Sequence, residues 1–379
     1  MAEKQASDLF FTAGAPIQIK INGVVMPINS QVLNPAAVKK IAYEMMSEYQ
    51  IKEFEKTLEM NLGVSRSEIG RFRVNVFRQR DSVAMVIRFV KPDIQSVEEL
   101  KLPAILKDLV MEKLGMILIV GAAGCGKSTT LAAMIDYRNS TRTGHILTLE
   151  DPMEFSYKHK QSIVNQREIG TDTNCLENAL VSATHEALDL LMIGEIRDRP
   201  TLQSALLFAQ TGHLCLSTMH ANNSYHAMTR IVNFFPREAR EALLADLAIS
   251  LKCVVSQRLI PAKNGGRIPA VEVMLNTPRI ADLIVRGEMG KIKDAMDQSL
   301  EPGSQTFEQA LYGLYTSGQI TLNDALVNSD SSTNMQWLID NAVMAPAAAP
   351  SSSPRQTTNA PAITDPTDDL GSVKFIDII

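Results

Sequence analysis

Gly121-Ala-Ala-Gly-Cys-Gly-Lys-Ser-Thr129 is the stretch that decides the fold. It satisfies the phosphate-loop pattern G-x-x-x-x-G-K-[ST] in full, and its flanks supply the context that the pattern needs. Met116-Ile-Leu-Ile-Val120 in front reads as a buried strand, and Lys127 to Asn139 behind reads as a helix free of Pro and Gly. Glycines let successive backbone N–H groups turn inward onto an anion, and the helix N-terminus adds positive potential. A nucleoside triphosphate is therefore the expected ligand, bound by Gly121, Gly124, Cys125, Gly126, Lys127, Ser128 and Thr129. Lys127 would hold the β- and γ-phosphates and Ser128 the magnesium ion.

Working outward, three more apolar runs end in polar groups. His145-Ile-Leu-Thr-Leu149 leads into Glu150-Asp151-Pro152, Asp189-Leu-Leu-Met-Ile193 into Gly194-Glu195, and Leu214-Cys-Leu-Ser-Thr218 into Met219-His220. Near-continuous apolar strands separated by helices predict a parallel sheet covered on both faces. In such sheets ligands sit beyond the carboxyl ends of the strands, where these groups converge.

The chain of 379 residues has room for more than one domain. Residues 1–92 read as a small α+β domain. Ile17–Ile21 and Val24–Met26 flank an Asn22-Gly23 turn, Pro35 to Thr57 is helical, and Arg71–Phe77 alternates with Phe72, Val74 and Val76 on one face. Ala84 to Val90 is expected to pair with it and end at Lys91-Pro92. A bridge over 93–115 leads to the parallel-sheet core with the phosphate loop over 116–269, followed by a helical part over 270–341. Within that part, Thr321-Leu-Asn-Asp324 resembles a capping box. Residues 342–379 turn to Ala, Pro, Ser and Thr and are expected to be a disordered tail. Its last residues, Val373–Ile379, are apolar again, either a docking peptide or a frayed terminus.

Composition excludes some classes. A formal net charge of −5 gives no general attraction to nucleic acid. The four cysteines, Cys125, Cys175, Cys215 and Cys253, have no C-x-x-C spacing, which fits a reducing compartment and not a zinc site. No apolar run reaches bilayer length, and the polar start, Met1-Ala-Glu-Lys-Gln, does not read as a signal peptide, so a cytoplasmic protein is expected.

Hydrolysis of ATP needs a metal, a group that orients or deprotonates water, and positive charge on the γ-phosphate. Glu195, at a strand end, is the candidate for reaching Mg2+ together with Ser128; its competing role is to cap the next helix. Of Glu150 and Asp151, which point to opposite faces, Glu150 is favoured as general base over a merely solvated acidic turn. His213 and His220 flank the last strand, and His220 is the candidate to sense the γ-phosphate. Arg71, Arg73, Arg78, Arg80 and Arg88 form either a solvated sheet face or arginine fingers for a neighbouring subunit, with Arg80 and Arg88 as the candidate fingers.

Taken together, these boxes resemble the type II/type IV secretion ATPases, and within them the PilT/PilU-type pilus-retraction branch, on its PilU side. The phosphate loop corresponds to Gly121–Thr129, the acidic box to Leu149–Phe155, the Walker B segment to Leu190–Asp198 and the histidine box to Thr211–His220. Ala6-Ser-Asp-Leu9, Gly70–Asn75 and Gln305–Leu311 extend the likeness, which covers roughly residues 5 to 330. It implies an α/β fold with a PAS-like N-terminal domain and a RecA-like P-loop NTPase core. It also implies a homo-hexamer that uses ATP and Mg2+ to drive pilus retraction, docked at the inner membrane on a platform protein.

Several positions depart from that pattern. Ala122, Ala123 and Cys125 change the loop, which works through its backbone. His185 and Leu188 replace a basic residue and a proline before Walker B. Arg279-Ile-Ala-Asp-Leu-Ile284 lacks an Arg-Asn pair at Ala281 and Asp282, which points to a paralogue acting beside a second retraction ATPase. Three functions follow: an active retraction motor, an accessory ATP-binding subunit with weak hydrolysis, and, remotely, a RecA-like motor on nucleic acid. The expectation is an active ATPase beside a related motor, with no nucleic-acid partner.

Overall fold

The computed structural model describes residues 1, 4, 6–21, 24–66, 69–90 and 93–344. The Asn22-Gly23 turn, the strand end at Lys91-Pro92 and the tail from Ala345 lie outside them.

The N-terminal part contains strands β1 (Asp8–Phe11), β2 (Pro16–Ile21), β3 (Val24–Val32), β4 (Glu59–Arg66), β5 (Gly70–Gln79) and β6 (Ser82–Val90). They form one sheet in the order β3-β2-β1-β6-β5-β4, antiparallel throughout. Val74 and Val76 of β5 are fully buried, as the alternation of that strand requires. Helices α1 (Pro35–Glu44) and α2 (Glu48–Thr57) cross between β3 and β4. The single helical span expected from Pro35 to Thr57 is thus two helices. Ser47 interrupts it by starting a new one, with a reciprocal capping box to Gln50. Phe54 and Val38 seal a core of their own with Leu62, Met85 and Ile87.

The bridge carries α3 (Ile105–Val110). Beyond it come β7 (Gly115–Val120), α4 (Lys127–Thr141), β8 (Gly144–Glu150), β9 (Ser162–Glu168), α5 (Leu176–Ala183), β10 (Leu190–Ile193), α6 (Arg199–Gln210), β11 (Leu214–Met219), α7 (Ser224–Asn233), α8 (Arg240–Ser250), β12 (Leu251–Pro261) and β13 (Arg267–Leu275). The sheet order is β13-β12-β7-β11-β10-β8-β9, parallel except for the β12–β13 hairpin. The period of two sorts one strand onto two layers. Met116, Leu118 and Val120 pack with α5 to α8, while Ile117 and Ile119 pack with α3 and α4.

Helices α9 (Pro278–Val285), α10 (Ile292–Asp297), α11 (Phe307–Thr316), α12 (Leu322–Asn328) and α13 (Ser332–Met344) complete the fold. The capping box at Thr321 and Asp324 is formed. The boundary expected at 269 falls inside β13, which continues to Leu275. Val271 and Val273 stay in the sheet because their side chains fill the layer under α3 and α4.

Candidate active site

Gly121 and Gly126 take φ of 153° and 95°. A Cβ on Gly121 would come 2.6 Å from the Gln257 carbonyl oxygen, and one on Gly126 would come 2.8 Å from Gln257 Nε2. Only glycine fits at either position. Lys127 is buried to 8% exposure, and its Nζ donates to the carbonyls of Gly121 and Ala122, each at 2.9 Å. Helix α4 starts immediately at this lysine without a side-chain cap. Its first amides are therefore available to an anion, and the loop, the ammonium and the helix end fit a polyphosphate.

Gln257, on β12, was not found from the sequence. It donates from Nε2 to the Cys125 carbonyl at 2.8 Å and accepts at Oε1 from Thr130 Oγ1 at 2.7 Å. It ties the loop to the first turn of α4, and no motif in the sequence marks it.

Glu195 follows β10 and His220 follows β11, and the two strands are parallel neighbours. Glu195 Oε1 lies 3.4 Å from His220 Nε2, and Oε2 accepts from Arg197 Nε at 2.8 Å. Two of the sequence-predicted groups are thus in contact. The helix-capping role considered for Glu195 belongs to Asp198, which accepts from Thr201 N at 2.9 Å.

Glu150 closes β8 but faces inward, at 5% exposure. Oε1 accepts from Thr148 at 2.7 Å and Gln166 at 3.2 Å, and Oε2 from the Glu154 amide at 3.3 Å. Burial pushes its carboxyl above the usual range. A carboxylate bonded this way holds the acidic turn, where Asp151-Pro152 is cis. Four residues on, the exposed Glu154 lines a cleft of about 310 Å³ with Arg73, Arg88 and Thr129. Glu150, the carboxylate expected at the strand end, is thus buried, and the nearest exposed carboxylate on the same turn that lines this cleft is Glu154.

The other candidates scatter. His213 sits at the start of β11, where its carbonyl accepts from Gly115 N at 3.1 Å at the start of β7. That is the sheet edge opposite the phosphate loop, because parallel strands begin and end on opposite edges. Within one chain His213 thus lies away from the phosphate loop, and its ring packs edge-on against Phe208. Arg80 occupies the β5–β6 hairpin tip with φ of 43°, the far end of that ladder from Arg73 and Arg88. Arg88 pairs with Asp8 at 2.8 Å, and Arg71 pairs with Glu168 of β9, joining the two domains. Leu188 is in the core, while His185 is exposed. Among the described residues no cluster of three or more His, Cys, Asp and Glu is arranged to hold a metal, and no helix is long and apolar enough to cross a membrane.

A phosphate loop on a buried parallel strand, with carboxylate and imidazole at neighbouring strand ends, defines the class as a P-loop ATPase of α/β fold. Residues 1–283 match the family described as Type II/IV secretion system protein, and the chain belongs to that family. It is 48% identical to the type IV pilus ATPase PilU of Pseudomonas aeruginosa over 340 residues, 89% of each chain. To the type IV pilus retraction ATPase PilT of the same organism it is 38% identical, over 86% of this chain and 94% of that one. The crystal structure of the pilus retraction motor PilT with bound ADP superposes with a TM-score of 0.82 at 38% identity, covering 88% of this chain and 96% of that chain. The chain thus sits in the PilT/PilU-type branch, nearer PilU than PilT. Its RecA-like core and PAS-like N-terminal domain are the fold expected from the sequence.

Proposed function

We propose that this ATPase powers type IV pilus retraction as a ring of six copies, acting beside a related retraction ATPase on an inner-membrane platform protein at the cytoplasmic face. The observation that carries this reading is the 48% identity to PilU across 89% of both chains, which spans both domains and the cleft between them.

In this reading Lys127 sets a positive charge against the β- and γ-phosphates of ATP. Ser128 and Glu195 would hold Mg2+, which when bound neutralises charge on the phosphate oxygens. Glu154 faces the cleft and takes the role of orienting and deprotonating water, while Glu150 fixes its backbone. Arg73 and Arg88 bring positive charge from the N-terminal domain across the cleft, and Arg80, exposed on its hairpin tip, serves a neighbouring subunit. His220 reads the γ-phosphate and passes its loss to Glu195. Rotation of the domains about the 93–115 bridge would open and close the cleft once per turnover.

A second reading, an accessory subunit with weak turnover of its own, is favoured by Asp282 on α9. Its carboxylate is tied to Arg286 at 3.0 Å, at the place where the resemblance gives the retraction enzyme an Arg-Asn pair. Hydrolysis by the purified full chain separates the two. Turnover that Glu195→Ala and Lys127→Ala both abolish supports the self-sufficient motor. Turnover that appears only on mixing with the related ATPase supports the accessory role. Loss of twitching on deletion, restored by the parent gene and not by the Lys127→Ala gene, tests the pilus assignment.

A further inference from the structure

Arg258, near the end of β12, sits where three separate parts of the chain meet. Its guanidinium lies over the Phe307 ring, 3.8 Å from the centroid. Nη1 donates to the Asn328 carbonyl, and Nη2 donates to the Asn222 carbonyl at 3.2 Å and to Asp330 Oδ1. The second oxygen of Asp330 accepts from Asn223 Nδ2 at 2.9 Å. Asn223 is itself 1% exposed and caps α7 by accepting from His226 N at 3.0 Å.

These bonds join two places of different character. Asn222 and Asn223 lie two and three residues after His220, in the segment leaving the active site. The His220 carbonyl is held in turn by Arg230 at 2.9 Å. Asn328 and Asp330 form the joint between α12 and α13. The joint is further fixed by Glu308, which accepts from Ser331 N at 3.0 Å and from Lys293 at 2.7 Å. Every polar group of Arg258 and Asp330 that is named here has a partner on one side or the other. Asn223 and the Asp330 side chain are buried, and a mutually bonded network of this kind couples its members more tightly than separate bonds do. A shift of the His220 segment that moves Asn222 and Asn223 either breaks these bonds or carries the α12–α13 joint with it.

We propose that Arg258 and Asp330 are a relay that transmits the nucleotide state at His220 to α13, the helix after which the Ala/Pro/Ser/Thr-rich segment begins. This rests on the nucleotide site described above. Both residues line a cleft beside Ala122–Cys125 of the phosphate loop, and in this proposal they act as positioning residues, through Asn222 and Asn223.

The only tryptophan in the chain, Trp337, lies on α13 at 64% exposure and reports on that helix directly. The experiment compares Trp337 emission in the full chain with ADP and with a non-hydrolysable ATP analogue, alongside amide exchange of α13. Binding is measured separately with a fluorescent ADP analogue. The parent is expected to give different Trp337 emission and α13 protection in the two nucleotide states. Arg258→Met and Asp330→Asn are expected to lose that difference while binding the fluorescent ADP as the parent does. No difference in the parent, a difference kept in both variants, or loss of ADP binding in both would each overturn the relay. Should Arg258→Met fail to fold by circular dichroism, the nearly isosteric Asp330→Asn decides alone. Failure of the parent to bind ADP would instead strike the nucleotide site itself.

Discussion

Glu195 Oε1 and His220 Nε2 stand 3.4 Å apart, so the groups that close β10 and β11 meet across one parallel strand pair. The contact turns two strand-end residues into one unit, with Arg197 neutralising the outer carboxylate oxygen. Residues that act as a unit are strongly non-additive in kinetics. Glu195→Gln and His220→Ala are each expected to lower kcat on the order of a hundred-fold. The double variant should be little worse than either single one. Additive losses in steady-state ATPase assays would show that the two work independently.

Gln257 offers a test of how the loop is held. Removing it leaves the Cys125 carbonyl and the Thr130 hydroxyl without their shared partner in a buried place. A lost buried hydrogen bond of this kind costs about 1–2 kcal/mol, or roughly ten-fold in affinity. Gln257→Ala should weaken ADP binding by that order in calorimetric titration, with the fold retained. Unchanged affinity would mean that the loop holds its shape without β12.

Burial raises the Glu150 carboxyl above its ordinary 4.5. A group whose folded pKa is raised is most favourable to stability when protonated, below the ordinary value. That contribution is lost as pH rises through the raised folded pKa. Glu150→Gln keeps the shape and cannot ionise. The parent should therefore lose stability relative to Glu150→Gln as pH climbs from about 4 through the raised value, with a constant gap above it. Urea melts at a series of pH values measure this, and a gap that narrows with rising pH would contradict the buried-carboxyl assignment.

Between the domains, Arg71 and Glu168 pair with side chains 17% and 3% exposed. Taking Arg71 away leaves a carboxylate buried against the acidic turn, which costs about 3 kcal/mol in such settings. Arg71→Met should lower unfolding stability by that order, and Glu168→Gln in the same background should recover part of it. If Arg71→Met melts like the parent, the pair does not join the domains energetically.

The local order of the chain was legible because short-range physics writes it. The glycine pattern of Gly121–Gly126, the apolar runs of β7, β8, β10 and β11, and the alternation of β5 each depend on neighbours a few residues away. So does the capping box at Thr321. The same reading brought Glu195 and His220 to one edge, because both follow strands of one parallel sheet.

What lay beyond it depends on which way a strand end points and on what arrives from afar. Glu150 turns inward to Thr148 and Gln166, leaving Glu154 at the cleft, and a cis turn lies between them. His213 is separated from His220 by the length of β11, and the parallel register of β11 with β7 puts it on the edge opposite the phosphate loop. Gln257 belongs to β12, whose partners β7 and the phosphate loop are more than a hundred residues away, and Arg258 of the same strand bonds to residues 36 to 72 positions away. Sequence spacing alone determined that a phosphate loop sits on a parallel α/β sheet. Long-range packing decided that Glu150 is buried, that His213 lies at the opposite edge, and that Arg73 and Arg88 share a cleft with Glu154 and Thr129, because side-chain direction at a strand end is set by burial against other elements.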